Sequence, residues 1–184
     1  APFGVAVYLR GFEHVLMDMI DNPDFMHKLM RFITDSRKGW YRGRAKYLGK
    51  DVLKSNLFND EVNCPSLSPA LYEEFVLPYE QELSASHPEG LHYWHSCGDI
   101  TRLYASIDKI PKIDMIHKGP WSSAKEAGKV FGQRSAIEVC ISPQRDLFES
   151  DFEQTKKQLE GFVTDFIETG TKGFTFRANT IMLY

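Results

Sequence analysis

The sequence predicts an α/β fold, a TIM-type (β/α)8 barrel short of its full set of units, and three observations predict it. Apolar, β-rich runs alternate with amphipathic helical runs six times along the chain. No Asn-Gly or Asp-Gly pair joins neighbouring strands as a tight hairpin would. Residues able to do chemistry collect at the carboxyl ends of the strand-like runs, where a barrel places its active site. The alternation argues for a parallel sheet with right-handed crossovers. A doubly wound sheet would alternate in the same way, but no Gly-x-Gly-x-x-Gly follows the first run, so the main mark of a dinucleotide fold is missing. A complete barrel takes about 250 residues and eight strands, and these 184 residues offer six. We therefore read residues 1–184 as one partial barrel domain, with one or two amino-terminal strands and the final helix missing.

Phe3–Leu9 (FGVAVYL) reads as a buried strand, and Gly11–Ile20 as a short helix. Asn22-Pro23 is a cap followed by proline at the first helical position, and Phe25, Leu29, Phe32 and Ile33 then fall at helical spacing towards Tyr47, with Gly49 as the stop. Asp51–Phe58 is the second strand. Ser68-Pro69 repeats the cap-then-proline start of a helix whose apolar face is Leu71, Phe75, Leu77 and Tyr79, running to about Ala85. His87-Pro88-Glu89-Gly90 leads into the central strand, Leu91–His95, and Asp99 caps a helix through Ile107. Ile113–His117 and Ser135–Ile141 are further strands, separated by a helix over Ser122–Val130. Asp151–Thr169 is a helix with Phe152, Leu159, Phe162, Val163, Phe166 and Ile167 as its stripe. Gly173–Arg177 is the last strand, with Ala178–Tyr184 trailing from it.

The composition is that of a soluble domain, 42% hydrophobic and 26% charged, and the net charge of −3 with mixed signs gives no reason to expect a nucleic-acid partner. No apolar run reaches the roughly 20 residues of a membrane helix, and no signal peptide opens the chain. Three cysteines do not make a disulfide framework, which suits a reduced, cytoplasmic protein. The chain starts at Ala1-Pro2-Phe3 and stops at Tyr184 soon after an apolar run; both ends read as cuts through a larger fold. Strand edges left open in this way call for cover by a lost segment or another chain, a homodimer being the simplest case.

The centre of the sequence is Leu91–Asp99, LHYWHSCGD. Strand side chains alternate faces, so His95 and Cys97 point the same way, and imidazole with thiolate is the donor set zinc prefers. Gly98 permits a sharp turn after them. The expected rim is completed by Asn59, Asp60, Glu61 and Cys64 after the second strand, His117 after the fourth, Glu138 and Cys140 on the fifth, and Arg177 and Asn179 on the last. A catalytic zinc keeps three protein ligands and one open position. Cys140 is the best third ligand beside His95 and Cys97, Cys64 the next, with Glu138 or Glu61 as oxygen donors; burial of Cys64 and Cys140 as ordinary small residues is the competing reading. Asp60 and Glu61 are candidate acid–base groups or caps of the loop backbone, and His117 a substrate contact or support for a ligand. His14, His27, His87 and His92 read as surface or packing residues.

At these residues the chain resembles the uroporphyrinogen decarboxylase superfamily over nearly its whole length. Leu67–Tyr79 (LSPALYEEFVLPY) is similar to the signature after that superfamily's fourth strand, Gly4–Gly11 to the strand unit before it, and Ile141-Ser142-Pro143-Gln144 with Leu147 to the stretch after its seventh strand. The resemblance implies a (β/α)8 barrel of which this chain supplies the third to eighth strands; the missing part is where the decarboxylases keep arginines for substrate carboxylates. It offers two activities. The metal-free decarboxylases of porphyrin biosynthesis carry Asp in a Phe-Asp-Ser-Trp context and a later His, where this chain has Phe58-Asn59-Asp60-Glu61 and Arg177-Ala178-Asn179-Thr180. The zinc-dependent methyltransferases that work with corrinoid proteins carry His-x-Cys-Gly, which His95-Ser96-Cys97-Gly98 matches. Their third thiolate lies near the eighth strand, yet Phe174–Asn179 holds no cysteine, so Cys140 would substitute. The resemblance thus implies Zn2+, a methylcobalamin-carrying partner protein, and a thiol or methylated small-molecule substrate. An inactive fragment or interaction module is the third reading, since a barrel without its first strands lacks part of its pocket wall.

Overall fold

The computed structural model describes residues 1–178. Three helices lead: α1 (Pro2–Arg10), α2 (Phe12–Asp21) and α3 (Pro23–Leu48). They are followed by β1 (Ser55–Phe58), α4 (Pro69–Phe75), α5 (Leu77–Ala85), β2 (Leu91–His95), a 3-10 turn at Thr101–Leu103 and α6 (Tyr104–Ile107). Then come β3 (Ile113–Lys118), α7 (Ala124–Phe131), β4 (Ala136–Ile141), a π-helical turn at Gln144–Phe148, α8 (Phe152–Glu168) and β5 (Phe174–Ala178). The five strands are parallel and stand in sequential order. A doubly wound sheet reverses its order at a switch point; here every strand adds on the same side, as the wall of a barrel grows. The chain is an α/β protein with a partial barrel wall.

Two faces follow from the strand alternation. Leu57, Trp94, Ile116, Ile137 and Val139 point to the helical layer and are fully buried. The other face carries Phe58, Tyr93, His95, Met115, His117, Glu138, Cys140 and Arg177. Phe58 pairs with His95, Tyr93 with Met115, His117 with Glu138, and Cys140 with Arg177. No helix among the described residues is long and apolar enough to cross a membrane.

The structure corrects the sequence reading at several points. Phe3–Leu9 is helical, which leaves five strands where six were expected. Its buried side chains include Phe3 and Ala6, three apart, while Val5, Tyr8 and Leu9 are exposed, a helical period hidden within an apolar run that also suits a strand. In α3 the inward stripe is Met26, Met30 and Ile33, and Phe32 faces outward. The helix expected over Ser68–Ala85 breaks at Val76, because Pro78 cannot donate to the preceding turn. Ser68 caps α4 by accepting from Leu71 N at 3.2 Å. Strand β1 starts at Ser55 rather than Asp51, and Phe152 and Ile167 of α8 are exposed.

The carboxyl end of β1 is tied to the helices by one carboxylate. Glu80 of α5 is fully buried and accepts from Asn59 Nδ2 at 2.7 Å, Tyr72 Oη at 2.7 Å and Trp94 Nε1 at 2.9 Å. Burial outweighs these donors and raises the Glu80 pKa above the usual carboxylate value. The outer edge of β1 is also occupied: Arg37 of α3 donates to Asn56 O at 3.1 Å, and the Ala1 amine to Phe58 O at 3.2 Å.

Replacing Glu80 by Ala strands three buried donors, and urea unfolding should show a loss of about 3–5 kcal/mol. The folded protein holds the Glu80 proton more tightly than the unfolded chain does. The Glu80 contribution is therefore greatest below the ordinary carboxylate pKa and fades as pH rises through the folded value. Glu80→Gln should remove that component from the pH–stability curve.

Candidate metal centre

The parallel register brings neighbouring side chains to one height on one face, and the site is built from it. His95 ends β2 and His117 stands near the end of β3; their rings lie 4.1 Å apart between centroids. Cys97, just beyond β2, turns back so that its Sγ lies 3.2 Å from His95 Nε2.

Backbone contacts hold the Cys97 segment. Its N–H donates to Asp60 Oδ1 at 3.2 Å, Ser96 Oγ donates to Val62 O at 2.7 Å, and Cys64 N donates to Asp99 O at 2.7 Å. Two glycines make the close passage possible: a Cβ on Gly98 would stand 2.3 Å from Asn63 Cβ, and one on Gly119 would stand 2.7 Å from Cys97 O. Asp99 Oδ1 accepts from Thr101 N at 2.9 Å, but the helix expected through Ile107 is a 3-10 turn capped by Ile100 followed by the short α6, so Asp99 turns the loop rather than capping a helix.

One donor atom each from His95, Cys97 and His117 lie within 4.8 Å of one another. Among the described residues this is the group of His, Cys and acidic side chains that could hold a metal ion. Arms of about 2.0–2.1 Å to nitrogen and 2.3 Å to sulfur at a tetrahedral angle separate the two atoms by about 3.5 Å, close to the His95–Cys97 spacing. His117 Nε2 is buried and has no hydrogen-bond partner, while the other nitrogen of its ring is engaged. Nδ1 lies 2.9 Å from both Tyr93 Oη and Glu138 Oε2. A bare buried nitrogen beside an imidazole and a thiol, with a carboxylate behind the ring, fits zinc in donor type and in support.

Electrostatics point the same way. Burial lowers the His117 pKa to about 4 and that of His95 below its ordinary value, so both rings are neutral at pH 7 and able to ligate. Burial first, then the nearby Asp60 carboxylate, push the Cys97 thiol up to about 12. Burial also works against a charged Glu138, but the hydrogen bonds from Tyr93 and His117 overcome it and hold that carboxyl below its usual range. Arg177 reaches the same oxygen at 3.4 Å.

The remaining candidates are placed as follows. Cys140 is buried on the inner face, its Sγ 3.8 Å from Ile141 O, and stands outside the three-residue group, where His117 takes the third corner. Cys64 is half-buried, with its Sγ directed at Leu67 O. Asp60 Oδ1 lies 3.1 Å from His95 Nε2, at the mouth of the site. Glu61 is packed over Gly4 of α1 and stands outside the three-residue group. Asn59 is turned outward to Glu80, and Asn179 lies outside the described residues. His27 stacks on Phe75, His87 is buried against Tyr41, and His92 is exposed beside Asp114. Sequence reasoning passed over Tyr93, although its position two residues before His95 on one strand put it on the same face.

A family model for uroporphyrinogen decarboxylase (URO-D) matches residues 1–176. Searches among curated proteins and among solved structures gave no match. A match of that extent, over a sequentially ordered parallel wall with its polar cluster at the strand carboxyl ends, means that the chain belongs to the uroporphyrinogen decarboxylase (URO-D) family.

Proposed function

We propose that this URO-D family member is a zinc-dependent methyltransferase that works with a corrinoid protein and a thiol or methylated small-molecule substrate. One observation carries the reading: His95, Cys97 and His117 converge, with His117 Nε2 buried and bare. His95, Cys97 and His117 would hold the ion. When bound, zinc supplies positive charge that keeps a thiol ionised at neutral pH.

The chain's own groups do the rest. Asp60, half-exposed and 3.1 Å from His95 Nε2, receives the proton that a substrate thiol gives up. Tyr93 and Glu138 hold the His117 ring. The ionised thiol would be the nucleophile, and methylcobalamin on the partner would supply the methyl group, the electron pair of its carbon–cobalt bond staying with cobalt. The corrinoid partner is supported by the likeness of His95-Ser96-Cys97-Gly98 to the methyltransferase motif. All three cysteines are free thiols, which fits the reducing cytoplasm as its location.

A carboxy-lyase is the second reading, favoured by Arg177, half-exposed on the inner face, as a cation for a substrate carboxylate. Against it, Asn59, which resembles the position of the decarboxylases' aspartate, is bonded to Glu80 on the other side of the sheet.

Elemental analysis of protein purified without added zinc should find about one equivalent per chain. Cys97→Ser and His117→Ala should lose it while Cys140→Ser keeps it; a metal-free wild type sinks the reading. Asp60→Asn should retain zinc and lower thiol methylation from methylcobalamin by about 10²–10⁴-fold.

Metal binding must strip the Cys97 proton, whereas the two imidazoles are neutral above pH 6.5. Chelator competition should therefore show zinc affinity rising about tenfold per pH unit between about pH 6.5 and 8.5, with proton release on uptake.

A further inference from the structure

We infer that Glu138, with Tyr93, is a positioning residue that fixes His117 in the one tautomer able to ligate through Nε2. The inference rests on the metal reading above, but it concerns the ring before any ion arrives.

Glu138 Oε2 already accepts from Tyr93 Oη and from Arg177 NH1, so it faces His117 Nδ1 at 2.9 Å as an acceptor and the proton in that contact sits on Nδ1. Tyr93 has a single hydroxyl proton, and Glu138 Oε2 takes it in a short contact. The phenol oxygen therefore faces His117 Nδ1, 2.9 Å away, with lone pairs only, and a second proton donor is missing from that side. Both partners demand Nδ1–H. The neutral ring then has no proton left for Nε2, which is the buried nitrogen without a partner.

Register makes this arrangement hard to avoid. His117 and Glu138 are paired across β3 and β4, and Tyr93 lies on β2, so all three share a face at neighbouring heights. Arg177 NH1, 3.4 Å from the same carboxylate oxygen, favours the ionised acceptor. Without the carboxylate, the buried ring gains by moving its proton to Nε2 or by rotating, and either change must be undone when a metal binds. Removing such a support costs about 10–100-fold in metal affinity.

The test uses the full chain with 15N-labelled histidine. In metal-free wild type, the His117 nitrogens should report Nδ1 protonated and Nε2 bare. Glu138→Ala should lose that pattern and bind zinc about 10–100-fold more weakly in chelator competition. Glu138→Gln, whose carbonyl oxygen still accepts, should keep the tautomer and recover most of the affinity. An Nε2-protonated His117 in the wild type overturns the assignment, as does a Glu138→Ala protein with unchanged tautomer and affinity. Wild type that shows the expected tautomer but takes up no zinc overturns the metal reading instead, and the ligand-positioning role with it.

Discussion

A single buried carboxylate sets the frame. Glu80 cannot shed its burial cost onto solvent, so it gathers every donor within reach: the Asn59 amide, the Tyr72 phenol and the Trp94 indole. Those three residues belong to the end of β1, to α4 and to β2. Trp94 immediately precedes His95, and Asn59 immediately precedes Asp60. The knot on the helical side of the sheet thus determines what the opposite side presents, because alternation sends the next residue of each segment through to the inner face. Large packing residues, with Trp94, Tyr72 and Phe75 fully buried, surround it and leave the carboxylate no route to water.

On the inner face the same economy of register applies. Each of four neighbouring strands contributes: a ring and a thiol from the end of β2, a ring from β3, a carboxylate from β4 and a guanidinium from β5. None of these depends on a long loop. The one irregular piece, the Cys97 turn, is pinned by Asp60, by the Val62 carbonyl and by two glycine close approaches. Rigid elements are a better base for a metal than mobile ones, since ligand positions must hold to a fraction of an ångström.

Most of this frame was legible in the sequence. The four later strands and their parallel arrangement came from alternation and from missing hairpin signals, and the preference for a barrel over a doubly wound sheet from the missing Gly-x-Gly-x-x-Gly. The pair His95 and Cys97 came from same-face spacing together with the Gly98 turn. Residues 3–9 misled because a short apolar run carries too little periodicity to separate strand from helix, and only Phe3 and Ala6 turning inward settles it. The third corner was harder. Cys140 and His117 both sit at strand ends on the correct face, and choosing between them takes distances between side chains two strands apart. Zinc's donor preference and the resemblance favoured the thiol, and geometry favours the ring that a carboxylate supports. Tyr93 was overlooked because a tyrosine in an apolar strand gives no outward sign that its hydroxyl is shared.

The outer margin of β1 has a consequence of its own. Its outward-facing carbonyl at Asn56 is an acceptor an intruding strand would seek, and it already receives the Arg37 guanidinium. A foreign β-segment would have to evict that charged donor before it could zip on. This border of the sheet therefore resists runaway cross-chain pairing through the Arg37 charge and through the register shift between Ser55 and Asn56 that spoils the rail.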